Sequence, residues 1–364
     1  MVAPLRVGVI GGEKRGFGAR AHIPAVQALD GLELAAICTA HEATARQAAA
    51  QHGVRKWFGG VEALLADPEI DLVTIAVRPR FHAEIAAAAL SAGKMVYCEW
   101  PLARNTAEAS LMASVARDTG VSNAVGLQGT FSPALRLIAD LVGKGRIGRP
   151  LMFEGSLLQS RFGVDSDRSW LVDRSEASGA LFVASAHLID AVQYLLGEIS
   201  FLAGVERVSA PDGTFEDNGE KFVWRTADTV MLIAELASGV VGNLNVSNVT
   251  YPPQGFALRI IGDEGQVVAK APRYLQFSPI KVSVAVGTGE LEAVEVPSAS
   301  TLLGEDHPAT NVARALESFV QSIRSGTKFR PDFQDGLALH RVIDAIARSS
   351  RMRTWERPLA DSAL

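Results

Sequence analysis

Over the first third of the chain, five short apolar runs alternate with helix-like segments. "RVGVI" (6–10) precedes Ala19 to Leu29, "LELAAIC" (32–38) precedes Glu42 to His52, "LVTIAV" (72–77) precedes His82 to Ala92, "MVYC" (95–98) precedes Asn105 to Thr119, and "SNAVG" (122–126) closes the series. Strands that alternate with helices run parallel, because each return needs a crossover connection. The runs are apolar at successive positions, as expected of strands covered by helices on both faces. These observations predict an α/β chain whose N-terminal domain, residues 1–124, is a doubly wound parallel sheet of the Rossmann type. Ligands of such sheets lie outside the carboxyl ends of the strands, which is where Gly11, Cys38, Val77 and Glu99 fall.

The remainder, 125–364, changes character after "IGRPLMFEGSLL" (147–158). One helix-like stretch, Ser178 to Leu196, is followed by strand candidates punctuated by Gly, Pro and Asn: "TVMLIAEL", "VVGNLNVSNV", "FALRIIG", "GQVVAK" and "KVSVAVG". An open antiparallel sheet is the expectation, with a polar loop at "SAPDGTFEDNGEK" (209–221). Two long helix patterns, "TNVARALESFVQSIRSG" and "FQDGLALHRVIDAIARSS", end the chain and are expected to pack back on the first domain. With 364 residues, 48% hydrophobic, there is chain enough for two cores.

Thirty-five Lys and Arg against 40 Asp and Glu give a net charge of −5 without long runs of either sign. That balance argues against a nucleic-acid groove or a membrane patch and leaves a small molecule as the expected partner. No export signal or bilayer-length apolar run is visible, and Cys38 and Cys98 read as free buried thiols, so a cytoplasmic setting is expected. No His/Cys/Asp cluster has metal-ligand spacing, and "SASTLLGEDH" (298–307) has the residue types of a nucleophilic triad but no nucleophile elbow.

The stretch "GVIGGEKRGFGARAHIPAV" (8–26) joins a strand to a helix through a glycine-rich turn, where backbone N–H groups can face a pyrophosphate. Gly11 and Gly16 stand at the first and third glycine positions of G-x-G-x-x-G, and Glu13 occupies the middle one; alternatively the loop is longer and Gly16 or Gly18 makes the close approach. At the end of the second strand no carboxylate appears before Glu42, and Thr39 with His41 and Arg46 would tolerate a 2′-phosphate, which favours NADP over NAD. Thr39 could equally cap the following helix. Trp100, in "YCEWPLA" (97–103), reads as a wall beside a nicotinamide or sugar ring, or as filling between domains.

"HIPAV" (22–26), "IAVRPRFHAEIAAAALSAGKMVYCEWPLA" (75–103) and "GALFVASAHLIDAVQYLLGE" (179–198) resemble three signature blocks of the Gfo/Idh/MocA oxidoreductases, and the likeness runs over essentially the whole chain. The resemblance implies an N-terminal Rossmann domain, a C-terminal α/β domain with an open antiparallel sheet that serves homo-oligomerisation, and redox chemistry on sugars and related polyols with NAD or NADP. It places Pro79 and His82 on the adenine or ribose part of the cofactor and His187 as the acid–base catalyst; Gly11, Gly16, Thr39, Glu99, Trp100 and Gln128 complete the expected cofactor contacts, and Trp100, Trp170, Asp173, His187 and Asp190 the expected substrate contacts.

Three departures stand out. The family's usual Glu-Lys-Pro is Glu99-Trp100-Pro101 here, the Asp usually four positions before the catalytic His is Val183, and an expected Arg is replaced by Thr130. These features resemble the branch containing the fungal galactose-pathway repressor. Two functions follow as expectations: an NAD(P)-dependent oxidoreductase using His187, with Asp190 one helical turn away, or a catalytically silent NAD(P)-binding sensor or regulator.

Overall fold

The computed structural model describes residues 3–297 and 303–358. They divide into two compact units, one drawn from Met1–Gln128 and Thr301–Leu337, the other from Gly129–Ser300 and Ala338–Leu364. Residues 298–302 of "SASTLLGEDH" lie outside the described residues.

The first unit is built on six strands, β1 (Leu5–Ile10), β2 (Leu32–Cys38), β3 (Lys56–Phe58), β4 (Leu72–Ile75), β5 (Met95–Glu99) and β6 (Asn123–Gly126), in the order β3-β2-β1-β4-β5-β6. Every neighbouring pair is parallel. The order reverses between β1 and β4, the place where such sheets open a ligand crevice. All four residues of β4 are buried, which is why its run is apolar throughout. The connecting helices are α1 (Ile23–Gln27), entered through a π-helical turn Gly18–His22, α2 (Glu42–His52), α3 (Val61–Ala66), α4 (His82–Ser91) and α5 (Thr106–Thr119). The β3–α3 pair is absent from the sequence reading. β3 has three residues and lies at the sheet edge with none buried, so it carries no apolar run to detect.

In the second unit, α6 (Pro133–Gly143) leads into β7 (Pro150–Leu158), and a π-helical turn Ala180–Ser185 leads into α7 (Ala186–Leu196). Eight strands follow in order along the chain: β8 (Ile199–Arg207), β9 (Asp212–Thr214), β10 (Lys221–Val223), β11 (Thr229–Leu236), β12 (Val241–Ser247), β13 (Gly255–Gly262), β14 (Gly265–Ala271) and β15 (Lys281–Val286), with β16 (Glu292–Val294) last. The large sheet runs β16-β15-β14-β13-β7-β12-β11-β8. It is antiparallel except at its centre, where β7 and β12 are parallel. The α7 crossover delivers β8 to the far edge, and two successive antiparallel pairings, β8 with β11 and β11 with β12, bring β12 back alongside β7 in the same direction. The antiparallel expectation is therefore corrected at that one pair.

α6 and β8 are further additions to the sequence reading. β8 shows no clean alternation of buried and exposed positions. The supposed polar loop 209–221 is also corrected, because it contains the β9–β10 hairpin. Phe215 and Phe222 anchor it on Val164, Val172 and Trp224, which outweighs the polar composition of its tip.

One face of the large sheet is covered by α7, whose Leu188 reaches Gly155 of β7. On β11 the buried Val230, Leu232, Ala234 and Leu236 alternate with Met231 and Ile233, which are 53% and 49% exposed. The stretch Arg174–Leu196 is long and apolar enough to cross a membrane by composition, but 67% of that window is buried within the protein.

Near the end of the chain, α8 (Thr310–Ser325) packs on α1 and β6 of the first unit. α9 (Phe333–Met352) begins there, the Phe333 N–H donating to Asn123 Oδ1 at 2.9 Å.

Asn105 shows how local sequence sets an element boundary. Its side chain accepts the Glu108 N–H at 2.9 Å, and Gly120 at φ 67° ends the same helix. Asn105→Ala is expected to lower stability to urea unfolding by about 1 kcal/mol, and Asn105→Ser to be nearly neutral.

Candidate functional site

The glycine turn is a steric construction. Gly11 has φ 102°, and a Cβ there would stand 2.5 Å from the Ala76 carbonyl oxygen at the exit of β4. The Gly11 N–H donates to Cys38 O at 2.9 Å, tying the turn to the end of β2. A Cβ on Gly18 would collide with Gly11 O, whereas one on Gly16 would meet Glu13 O at 3.1 Å. Gly18 thus packs backbone against backbone on Gly11, and Gly16 closes an inner turn by its N–H to Glu13 O at 2.8 Å. Glu13 is exposed, together with Lys14 and Arg15. A turn that only glycine can build, at the head of a helix and at the switch point, fits a dinucleotide pyrophosphate.

At the exit of β2, Thr39 is buried. Its N–H donates to Phe58 O at 3.1 Å and its hydroxyl to His41 O at 2.9 Å. These bonds commit Thr39 to the turn entering α2, while His41, Glu42 and Arg46 are exposed beside it.

At the exits of β4 and β5, Pro79 is buried in the short turn Pro79–Phe81 that leads into α4. His82 is buried beneath that edge, with Nδ1 2.9 Å from Pro101 O and Nε2 3.1 Å from Val77 O. Burial pushes its pKa down, so the ring is neutral and can donate to only one of the two carbonyls. It ties the β4 exit to the β5 exit, a supporting position rather than one on the crevice.

Trp100 is buried and joined to Pro101 by a cis peptide. Glu99, at the end of β5, lies with Oε1 2.9 Å from His22 Nε2, and His22 is wholly buried. The His22 ring meets Phe17 and Tyr97 edge to face at 5.7 and 5.6 Å. A Cβ on Gly126 of β6 would stand 2.8 Å from the Glu99 carboxyl carbon, so glycine makes the room. Gln128, just past β6, is buried with no hydrogen-bond partner for its Oε1.

In the second unit, His187 lies in the first turn of α7, 4% exposed, and its Nδ1 has no hydrogen-bond partner. Burial pushes its pKa down to about 4. Asp190 follows one turn later, half-buried, and Val183 sits in the preceding π-helical turn. Trp170 is half-buried in the turn Ser166–Val172. Asp173 is exposed, and its carboxylate accepts both the N–H and the hydroxyl of Ser175 at 2.9 Å. Its visible work is to cap the Arg174–Glu176 turn. Thr130, in place of the expected arginine, is buried in the turn Gln128–Phe131.

Two residues missed by the sequence reading stand at one end of the large sheet. Gln159 follows β7 and Asn248 follows β12, and because those strands are parallel both leave the sheet at the same end. The buried Gln159 Nε2 and the Asn248 Oδ1 have no hydrogen-bond partners, and neither has the hydroxyl of the buried Ser185. A buried polar group left unmet costs about 1–3 kcal/mol, so these atoms are open to a further hydrogen-bond partner. No residue pattern along the chain flags an amide at a strand end.

The depressed His187 pKa carries a stability signature. The folded state holds the ring neutral, so the unfolded chain binds more protons between the usual value of 6.5 and about 4. Stability is expected to fall as pH drops through that window. His187→Gln should make the fall shallower when denaturation midpoints are compared across it, and an unchanged slope would contradict the assignment.

Residues 5–127 match the profile of an oxidoreductase family with an NAD-binding Rossmann fold, and residues 139–357 that of the family's C-terminal α/β domain. A levoglucosan dehydrogenase of Pseudarthrobacter phenanthrenivorans is 28% identical, across 96% of this chain and 97% of its own. A solved levoglucosan dehydrogenase in complex with NADH and levoglucosan superposes with a TM-score of 0.86, covering 97% of this chain and 99% of that one. A super-repressor mutant of Gal80p from Saccharomyces cerevisiae shares the fold, with a TM-score of 0.87 at 18% identity over 98% of both chains. With both domain profiles matched along nearly its whole length, the chain belongs to the Gfo/Idh/MocA oxidoreductase family.

Proposed function

We propose that the chain is an NAD(P)-dependent oxidoreductase acting on a sugar-like or cyclic hydroxy or carbonyl compound. The observation that carries this reading is the glycine-only turn at the switch point, in a chain that matches, nearly end to end, a dehydrogenase solved with NADH and an anhydro sugar. The nicotinamide, when bound, accepts or donates the hydride. The turn from Gly11 through Gly16 to Gly18 holds the pyrophosphate, and Thr39, with His41 and Arg46 exposed beside it, receives the adenosine ribose. With no carboxylate before Glu42, the β2 exit favours NADP. Glu99, Trp100, Pro79 and Gln128 line the nicotinamide half, braced from beneath by His82.

His187 is the acid–base group. Its neutral ring accepts the proton of a substrate hydroxyl during oxidation and returns it to the oxygen during reduction. Trp100 offers an aromatic face and an indole donor but no proton exchange, so His187 works without the family's lysine. Gln159 and Asn248 are the amides that would meet substrate hydroxyls, with Trp170 and Asp190 as further contacts and Asp173 an outer, capping one. The exposed face carrying Met231 and Ile233 serves homo-oligomerisation. The setting is the cytoplasm, consistent with two free buried cysteines. A second reading, a catalytically silent NAD(P)-binding sensor, is favoured by the replacement of the usual lysine and aspartate by Trp100 and Val183.

Fluorescence titration with NADPH and NADH, followed by a screen of levoglucosan, cyclic polyols and keto-sugars at the nicotinamide absorbance, separates the two. The oxidoreductase predicts turnover that His187→Ala lowers by about 100-fold or more without weakening cofactor binding. Binding without turnover across the screen would favour the sensor, and failure to bind either nucleotide would overturn both. NADPH is expected to bind more tightly than NADH, with Arg46→Ala narrowing the difference.

A further inference from the structure

His22 and Glu99 form a buried pair whose charge state can be read from its surroundings. His22 Nε2 faces Glu99 Oε1 at 2.9 Å, and its Nδ1, also buried, has no hydrogen-bond partner. A doubly protonated ring would leave a charged N–H donor unmet at Nδ1. A neutral ring donating from Nε2 leaves only a lone pair unmet, which is the cheaper arrangement. A carboxylate at Glu99 accepts from a His22 Nε2–H in the arrangement that leaves only a lone pair at Nδ1. Phe17 and Tyr97 fix the ring edge to face, Gly126 leaves space for the carboxylate, and the next residue along the chain, Trp100, brings no compensating cation.

This fixed anion stands at the carboxyl end of β5. In a doubly wound sheet the turn after β1 takes the pyrophosphate and the β2 exit takes one ribose, so the second nucleotide lies along the β4–β6 half. An oxidised nicotinamide ring is a cation and the reduced ring is neutral. A carboxylate held in place beside it attracts the first far more than the second.

Resting on the nicotinamide reading above, we infer that Glu99 is an electrostatic selector for the oxidised cofactor and that His22 is the positioning residue that keeps it charged and oriented. By linkage, tighter binding of the oxidised form makes the bound reduced form a stronger hydride donor, which biases the site toward carbonyl reduction.

Calorimetric titration of the purified protein with NAD⁺, NADH, NADP⁺ and NADPH tests this without any turnover. In Glu99→Gln, which keeps shape and an acceptor for His22, the dissociation constant of the oxidised form is expected to rise about tenfold while that of the reduced form stays within about twofold. His22→Leu removes the donor and should reproduce that loss, and His22→Gln, whose amide still donates, should largely restore the selectivity. The ratio of the two constants is taken within one protein, so partial unfolding cancels. Equal weakening of both forms in Glu99→Gln, or no change in either, overturns the selector and leaves the cofactor reading intact. If the unsubstituted protein binds none of the four nucleotides, the cofactor reading fails and the selector fails with it.

Discussion

The approach of the first turn to the exit of β4 is the constraint on which the first unit depends. Gly11 has no room for a side chain against the Ala76 carbonyl, and Gly18 has none against Gly11 itself. That crowding sits where the strand order reverses, so it draws the head of the first helix to the one place where a parallel sheet opens. A methyl group at either glycine would force backbone apart from backbone, and the crevice geometry would go with it. The site follows from packing before any functional side chain is considered.

Around that turn, the histidines act through what they hold. His82 bridges the exits of β4 and β5 from below, and His22 fixes the Glu99 carboxylate from behind. Both imidazoles lie out of solvent, and burial pushes the His82 pKa down. His187 in the second unit is neutral by the same logic, its pKa held near 4 by burial. With Trp100 and Val183 in place of the family's lysine and aspartate, the proposed chemistry rests on the His187 imidazole and the buried Glu99 carboxylate. His22 ends a π-helical turn and His187 follows another, a feature found often at functional sites, whereas the helix of His82 is entered through a 3-10 turn.

The parts of the fold legible in the sequence were those with strong local signatures. β1, β2, β4, β5 and β6 are buried on both faces and so are apolar residue after residue, and Asn105 and Gly120 mark the ends of α5. β3 escaped because three residues at an edge carry no period, and the β9–β10 hairpin escaped because two half-buried aromatics anchor a polar stretch. The parallel β7–β12 pair was not legible either, since pairing direction depends on the path of the chain between the strands.

The sequence by itself determined the fold class and the carboxyl edge at which Gly11 and Glu99 stand, because glycine tolerance and apolar runs are properties of neighbouring residues, and its three signature blocks carried the family resemblance. Only the tertiary structure decided that Gly18 packs against Gly11, that Asp173 caps a turn, and that Gln159 and Asn248 leave the second sheet at the same end. It also decided that His22 meets Glu99 across 77 positions of chain. The physical reason is common to all of these. A hydrogen bond or a steric collision between residues distant in sequence leaves no periodic trace along the chain, and its strength depends on a burial that only folding creates.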